Sequence, residues 1–153
     1  MALTMYSRIP APRVEWKDEN MAYAMCFFPV IGAFIALFTM LWLYVSSVVH
    51  FGTVLTAAVA SLIPLAVSGG IHMDGFCDTA DALGSNASRE RMLEIMKDSR
   101  AGVSAVVSCA AYTLVAFALW TQVDISSHAL IALLCVPVLT RALSAFAVVT
   151  FKS

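Results

Sequence analysis

Between Met21 and Ile71 the chain carries no Asp, Glu, Lys or Arg, and His50 is the only group there able to gain a positive charge. A helix packed on a soluble core needs a polar outer face, and this run has none. A bilayer crossing takes about 20 apolar residues in a helix. The run holds two such lengths. The first, about residues 21–49, exceeds a crossing and can tilt or pass beyond the interface. The second, about residues 53–71, just reaches across and is kinked by Pro64. Residues 46–52 connect them. After Arg100 the apolar pattern returns and divides again, into spans of about 101–123 and 129–151 around a short loop with Asp124 and His128. The fourth span contains Pro137 and Arg141. The pattern predicts an all-α, polytopic helical membrane protein with about four transmembrane helices, built as a single integral membrane domain over residues 1–153.

Two polar segments interrupt it. Residues 1–20 form an arm, which Pro10 and Pro12 bias toward extended backbone. Residues 72–100 form a helical insert. Its first half continues the second span or follows it after Gly69 and Gly70; Leu83 to Ser88 reads as a turn, with Ser88 as N-cap. Arg89 to Lys97 reads as a short helix with Met92, Ile95 and Met96 on its apolar side.

Charge sharpens this reading. Charged residues make up only 12% of the chain, against about a quarter in a soluble domain. The arm holds six of the nineteen and the insert ten. With four spans, the arm, the insert and residues 152–153 share one side and carry eight of the nine Lys and Arg, whereas the opposite loops carry none. The positive-inside rule makes the charged side cytoplasmic. A net charge of −1 gives no general affinity for nucleic acid. Cys26, Cys77, Cys109 and Cys135 form no C-x-x-C or zinc-ligand spacing and read as small packing residues. The mixed charge of the arm and the length of the run after it are unlike a signal peptide.

The insert is where chemistry can reside. Asp74, Asp78 and Asp81 stand at i, i+4 and i+7, within roughly 60° of one another on a helix. Carboxylates so aligned repel unless a cation lies between them. Mg²⁺ is the usual ion for an all-oxygen set and leaves positions for phosphate oxygens. A solvated acidic face is the competing reading of the same three residues. Asp98, beyond the turn, is close enough in sequence to fold back as a fourth ligand. Lys97 and Arg100, with Arg89 and Arg91, supply positive charge for a phosphate chain, and metal plus cations around a transferring phosphoryl group is the central device of phosphoryl transfer. Arg141 lies about 15 Å from the end of its span. It either snorkels to the interface or meets a phosphate or an aspartate. His72 supports the fold or the edge of the site, and reaches the site only if the chain bends at Gly69-Gly70. His50 and His128 fall on the far side.

The residues Gly69-Gly70-Ile71-His72-Met73-Asp74-Gly75-Phe76-Cys77-Asp78-Thr79-Ala80-Asp81, then Arg89 through Arg100 and Gly102, form a long ungapped block. It resembles the signature of the cobalamin synthases, the adenosylcobinamide-GDP ribazoletransferases. Ser7-Arg8-Ile9-Pro10-Ala11-Pro12 and Phe28-Pro29-Val30-Ile31-Gly32 also look like that family's N-terminal pattern. Ala82 stands where the family commonly has glycine. Family members are longer, with further spans and a late Gly- and Asp-containing motif, so the resemblance implies that these 153 residues are truncated at the C-terminus. It implies a Mg²⁺-dependent transferase in a prokaryotic inner membrane, with its active site facing the cytoplasm. Its substrates would be adenosylcobinamide-GDP and α-ribazole or α-ribazole 5′-phosphate, and GMP would leave. In that reading Asp74, Asp78 and Asp81 hold metal, and Asp98 is a further ligand or the base. Lys97 and Arg100 neutralise the diphosphate, and Ser99, His72, Arg8 and Arg141 join them as substrate-binding positions. The lipid bilayer is the surrounding partner, and the sequence leaves the oligomeric state open, homo-oligomer included.

Other membrane proteins with aspartate-bound cations fit less well. A CDP-alcohol phosphotransferase would have Ala-Arg after its paired aspartates, where this chain has Ala82-Leu83. An aromatic prenyltransferase needs a second aspartate motif, and only Asp98 stands in for it. A cation transporter would set its carboxylates near mid-membrane, not at an edge. The charge asymmetry makes a direct prediction. After replacement of the native cysteines, cysteines at Ser7 and Ser88 should react with an impermeant thiol reagent only from the cytoplasmic side; labelling of either from outside would overturn the four-span topology.

Overall fold

A computed structural model describes residues 27–98, 100–124 and 128–150. Among these, six helices and no strand are present: α1 Phe28–Val49, α2 Thr53–Ser68, α3 Ile71–Gly84, α4 Arg89–Ile95, α5 Val103–Trp120 and α6 His128–Thr150. The arm, with Arg8, lies outside the described residues, as do residues 21–26 of the first expected span and Ser99. Three helices, α1, α5 and α6, are long and apolar enough to cross a membrane. The fourth candidate is the pair α2 and α3, which meet at 93°.

The second span is therefore shorter than its apolar run, and the aspartate helix does not extend it in a line. α2 stops at Ser68 after 16 residues, about 24 Å of rise. Gly69 and Gly70 both adopt the left-handed region, at φ 64° and 85°. Gly70 N–H donates back to the Leu65 carbonyl and Gly69 N–H to that of Ala66, which closes the last turn of α2. Side chains with a Cβ resist two consecutive residues of this kind. The glycine pair thus lets the backbone leave the α2 axis while its polar groups stay bonded.

The helices pack in a row. α6 lies on α1, α1 on α2, and α2 on α5; α3 packs against α5 and also contacts α4. Phe28, Ile31, Gly32, Ile35, Thr39, Leu43 and Ser46 make the buried stripe of α1, three or four residues apart as one helix face requires. Thr56, Ala57, Ala60 and Ser61 give α2 a small-residue face, which permits the close helix approach that membrane interiors favour. Large apolar side chains such as Leu41, Tyr44, Val107, Leu114, Leu139 and Phe146 face outward. A soluble monomer rarely exposes so continuous an apolar surface, and a bilayer accounts for it. Hydroxyls inside the spans bond their own helix, as Thr39 does to the Ile35 carbonyl at 2.8 Å and Thr113 to that of Cys109 at 2.8 Å.

The α1–α2 turn, far from the insert, is held by polar contacts. Trp42 Nε1–H donates to the Thr56 carbonyl at 2.9 Å, and Ser46 and Thr56 share a hydroxyl–hydroxyl bond. Stacking of Trp42 on Phe51 closes the turn.

The tightest approach of spans is at Gly32. A Cβ there would fall within 2.7 Å of Val138 Cα and closer still to the Pro137 carbonyl. These are backbone atoms and cannot rotate away. Gly32→Val should therefore separate α1 from α6 and lower the melting temperature in detergent by several degrees, on the order of 1–3 kcal/mol for an overpacked contact. Wild-type melting of this variant would refute the close crossing.

Candidate functional site

The charged end of the bundle gathers the start of α1, α3, α4 and the loop that leads into α5. On α3, Asp74 and Asp78 are four residues apart and share a face, with Cβ atoms roughly 5–6 Å apart as such neighbours are. Asp74 stands in the first turn of α3, where the helix N-terminus favours a carboxylate. Among the described residues, neither side chain has a hydrogen bond or ion pair from the protein. Both offer oxygens to an outside ligand.

Asp81, on the same helix, points its carboxylate elsewhere. Its Oδ2 accepts from Gly102 N–H, and its Oδ1 accepts from Ala105 N–H at 2.7 Å. Gly102 is the N-cap residue of α5 and lacks the side chain that would usually accept from the Ala105 amide. The carboxylate of Asp81 takes that role from a different helix. Its charge also meets the positive end of α5.

Asp98 follows the last turn of α4 and is exposed. Its Oδ1 accepts from the backbone N–H of Arg100 at 3.0 Å and from Nε–H at 3.1 Å, while its Oδ2 accepts from Nη2–H at 2.9 Å. This fork holds the Asp98 carboxyl below the usual carboxylate range, and raises the Arg100 guanidinium in return. Lys97 is exposed beside them and has no partner among the described residues. Arg91 and Glu94 pair on the surface of α4 at 2.6 Å, a contact of little energetic weight.

The structure brings Asp74 and Asp78 together and sends the other two carboxylates to different partners. Asp81 is drawn to the start of α5, and Asp98 is drawn to Arg100. Among the described residues no three His, Cys, Asp or Glu side chains converge closely enough to hold a metal. The Asp74–Asp78 pair nonetheless fits a hard divalent cation that binds through one or two carboxylates and keeps water or phosphate in its other positions.

His72 is carried by the bend to the start of α1, where its ring meets Phe28 edge-on at 5.3 Å. Arg141 lies within electrostatic reach of both His72 and Tyr112. Its Nη1 makes long bonds of 3.4 Å to the Pro137 carbonyl and the Thr140 hydroxyl of its own helix, and its buried Nε has no partner among the described residues. His72 thus lies against the start of α1, with Arg141 of α6 within electrostatic reach. Sequence reasoning assigned no role to Gly102 or Tyr112. The signal for Gly102 was present, since a glycine N-cap leaves its helix without a side-chain acceptor.

The Asp98–Arg100 fork has a testable pH dependence. Because the folded value is depressed, the pairing contributes fully above the ordinary carboxylate value and is lost as pH falls through the lowered one. Arg100→Ala should move the Asp98 titration, followed by its carboxyl ¹³C resonance, upward toward the ordinary carboxylate value. An unmoved titration would contradict the fork.

The chain matches the family model described as cobalamin-5-phosphate synthase over residues 1–153. It is 43% identical, over its full length, to the adenosylcobinamide-GDP ribazoletransferase of Lachnoclostridium phytofermentans, of which it covers 58%. The protein of the same name from Clostridium perfringens is 33% identical over 98% of this chain, with 60% of the relative covered. That of Desulfitobacterium hafniense is 35% identical over 92% of this chain, with 56% covered. The chain thus spans 56% to 60% of the length of these relatives. No solved structure matches it.

Proposed function

Because the chain belongs to the cobalamin-5-phosphate synthase family, we propose that it carries the metal- and diphosphate-binding part of an adenosylcobinamide-GDP ribazoletransferase. The acceptor is α-ribazole or its 5′-phosphate. An acceptor hydroxyl attacks the phosphorus that bears the cobinamide, the bond from that phosphorus to the bridging oxygen breaks, and GMP leaves with the electron pair. The hydroxyl proton passes to solvent or to a nearby carboxylate, and a phosphodiester remains.

The observation that carries this reading is the unpartnered Asp74–Asp78 pair, at the end of the bundle where the positive charge of Lys97 also lies. Asp74 and Asp78 would hold Mg²⁺, which when bound supplies positive charge at the diphosphate oxygens. Asp81, whose two oxygens both accept from amides of α5, stands outside this pair. Lys97 and Arg100 neutralise charge on the donor's diphosphate, with His72 and Arg141 receiving substrate from the membrane side and Arg8 and Ser99 completing the set. For Asp98 the fork favours an orienting role over that of base, since a carboxylate held low is a poor acceptor of the acceptor's proton at neutral pH. The same end would face the cytoplasm of a prokaryotic inner membrane, a placement supported by its lysines and arginines and by the bacterial relatives.

The test is metal-dependent release of GMP from adenosylcobinamide-GDP in the presence of α-ribazole. It should be run on this chain and on a version extended to its relatives' length. Asp78→Asn should weaken Mg²⁺ affinity by roughly 10-fold or more and lower turnover with it, while the protein stays folded. Lys97→Ala should instead raise the donor KM and leave the Mg²⁺ requirement in place. An unchanged Mg²⁺ requirement in Asp78→Asn would remove the ligand assignment.

A further inference from the structure

Asp81 and Gly102 are separated by 21 residues, which include the whole of α4 and the turn with Lys97, Asp98 and Arg100. Their contact closes that excursion into a loop. Both carboxylate oxygens are used, one on the N-cap amide and one on the third amide of α5. A Cβ on residue 102 would lie 2.7 Å from Asp81 Oδ1 and 2.9 Å from Cγ, so the carboxylate fills the space that glycine leaves. A second contact one turn along joins the same helices, because a Cβ on Gly84 would collide with the Ser104 side chain.

We propose that Asp81 is a positioning residue: its carboxylate clasps the start of α5 and so fixes the Lys97–Arg100 turn relative to Asp74 and Asp78 on α3. The assignment rests on the functional reading above for its consequence in catalysis, but not for the clasp itself. A helix start could be capped by its own residue with less reach. Gly102 has the extended backbone, at φ −85° and ψ 179°, that an Asp or Ser N-cap adopts. A local cap would satisfy the Ala105 amide, though not that of residue 102 itself, and would not tie α5 to α3. The cross-helix cap adds that tie, and the turn carrying the cations hangs between its two ends. A displacement of about 1 Å between groups acting on one phosphate can cost on the order of 10²-fold in rate.

The experiment separates clasp, cap and metal ligand. With native cysteines replaced, spin labels at Thr79 and Met96 report the distance from α3 to the turn. Melting temperature in detergent reports the cap, Mn²⁺ affinity by electron paramagnetic resonance reports the metal, and the donor KM reports function. Asp81→Ala and Gly102→Ala should both broaden the distance distribution, and raise the donor KM about tenfold or more, with Mn²⁺ affinity unchanged. The double variant Asp81→Ala/Gly102→Asp supplies a local N-cap. It should recover the melting temperature but keep the broad distribution and the raised KM. Recovery of all three would overturn the proposal and leave Asp81 as a cap only. Lost Mn²⁺ affinity in Asp81→Asn with a narrow distribution would overturn it in favour of a ligand. If the extended wild type releases no GMP, the functional reading fails, and the distance distributions still decide whether the clasp exists.

Discussion

Hydrocarbon offers a peptide group no partner, so every backbone N–H and C=O inside the membrane must be satisfied within the protein. That constraint accounts for the long helices, the hydroxyls folded onto their own carbonyls, and the way helix ends are closed. It bears hardest on the place where the chain must turn. At Gly69-Gly70 the path changes by 93° between two helices, and the glycines allow it while the terminal carbonyls of α2 stay bonded. The aspartates that follow lie on a helix directed away from the α2 axis. A straight continuation would have kept α3 in line with the span.

The same need for partners explains the division among the four carboxylates. The start of α5 presents amides with no local side chain to meet them, and Asp81 is the group that does. Asp98 is matched by a guanidinium two residues away. Asp74 and Asp78 have neither among the described residues, which is why they are the pair proposed for a cation. Arg141 shows the constraint from the opposite sign: a half-buried guanidinium whose hydrogen bonds, among the described residues, reach only its own helix.

Much of this could be read from the chain. The apolar runs marked the three helices long enough to cross a membrane, α1, α5 and α6, and the shorter α2. Ser88 caps α4, as the turn before it implies. The register of Asp74, Asp78 and Asp81 follows from their spacing once the segment is helical. Other features depended on contacts between distant segments. The glycine pair announced a break but not its angle. Nothing near Asp81 in sequence pointed to the amides of Gly102 and Ala105. Asp98 was legible as close in sequence to the aspartate helix, but its fork with Arg100 was not, because a flexible guanidinium can turn to many partners. The approach of Gly32 to Pro137 needs two helices to be laid side by side before the missing Cβ has meaning.

The central claim is that α3 holds a divalent cation between Asp74 and Asp78. Ferrous iron substituted for Mg²⁺, with ascorbate and peroxide, cuts the backbone next to the bound ion. The account predicts that metal-dependent cleavage centres on residues 74–78 and is suppressed by excess Mg²⁺. Cleavage confined to the Asp98–Arg100 turn or to the opposite end near Asp124, or cutting that excess Mg²⁺ does not suppress, would contradict it.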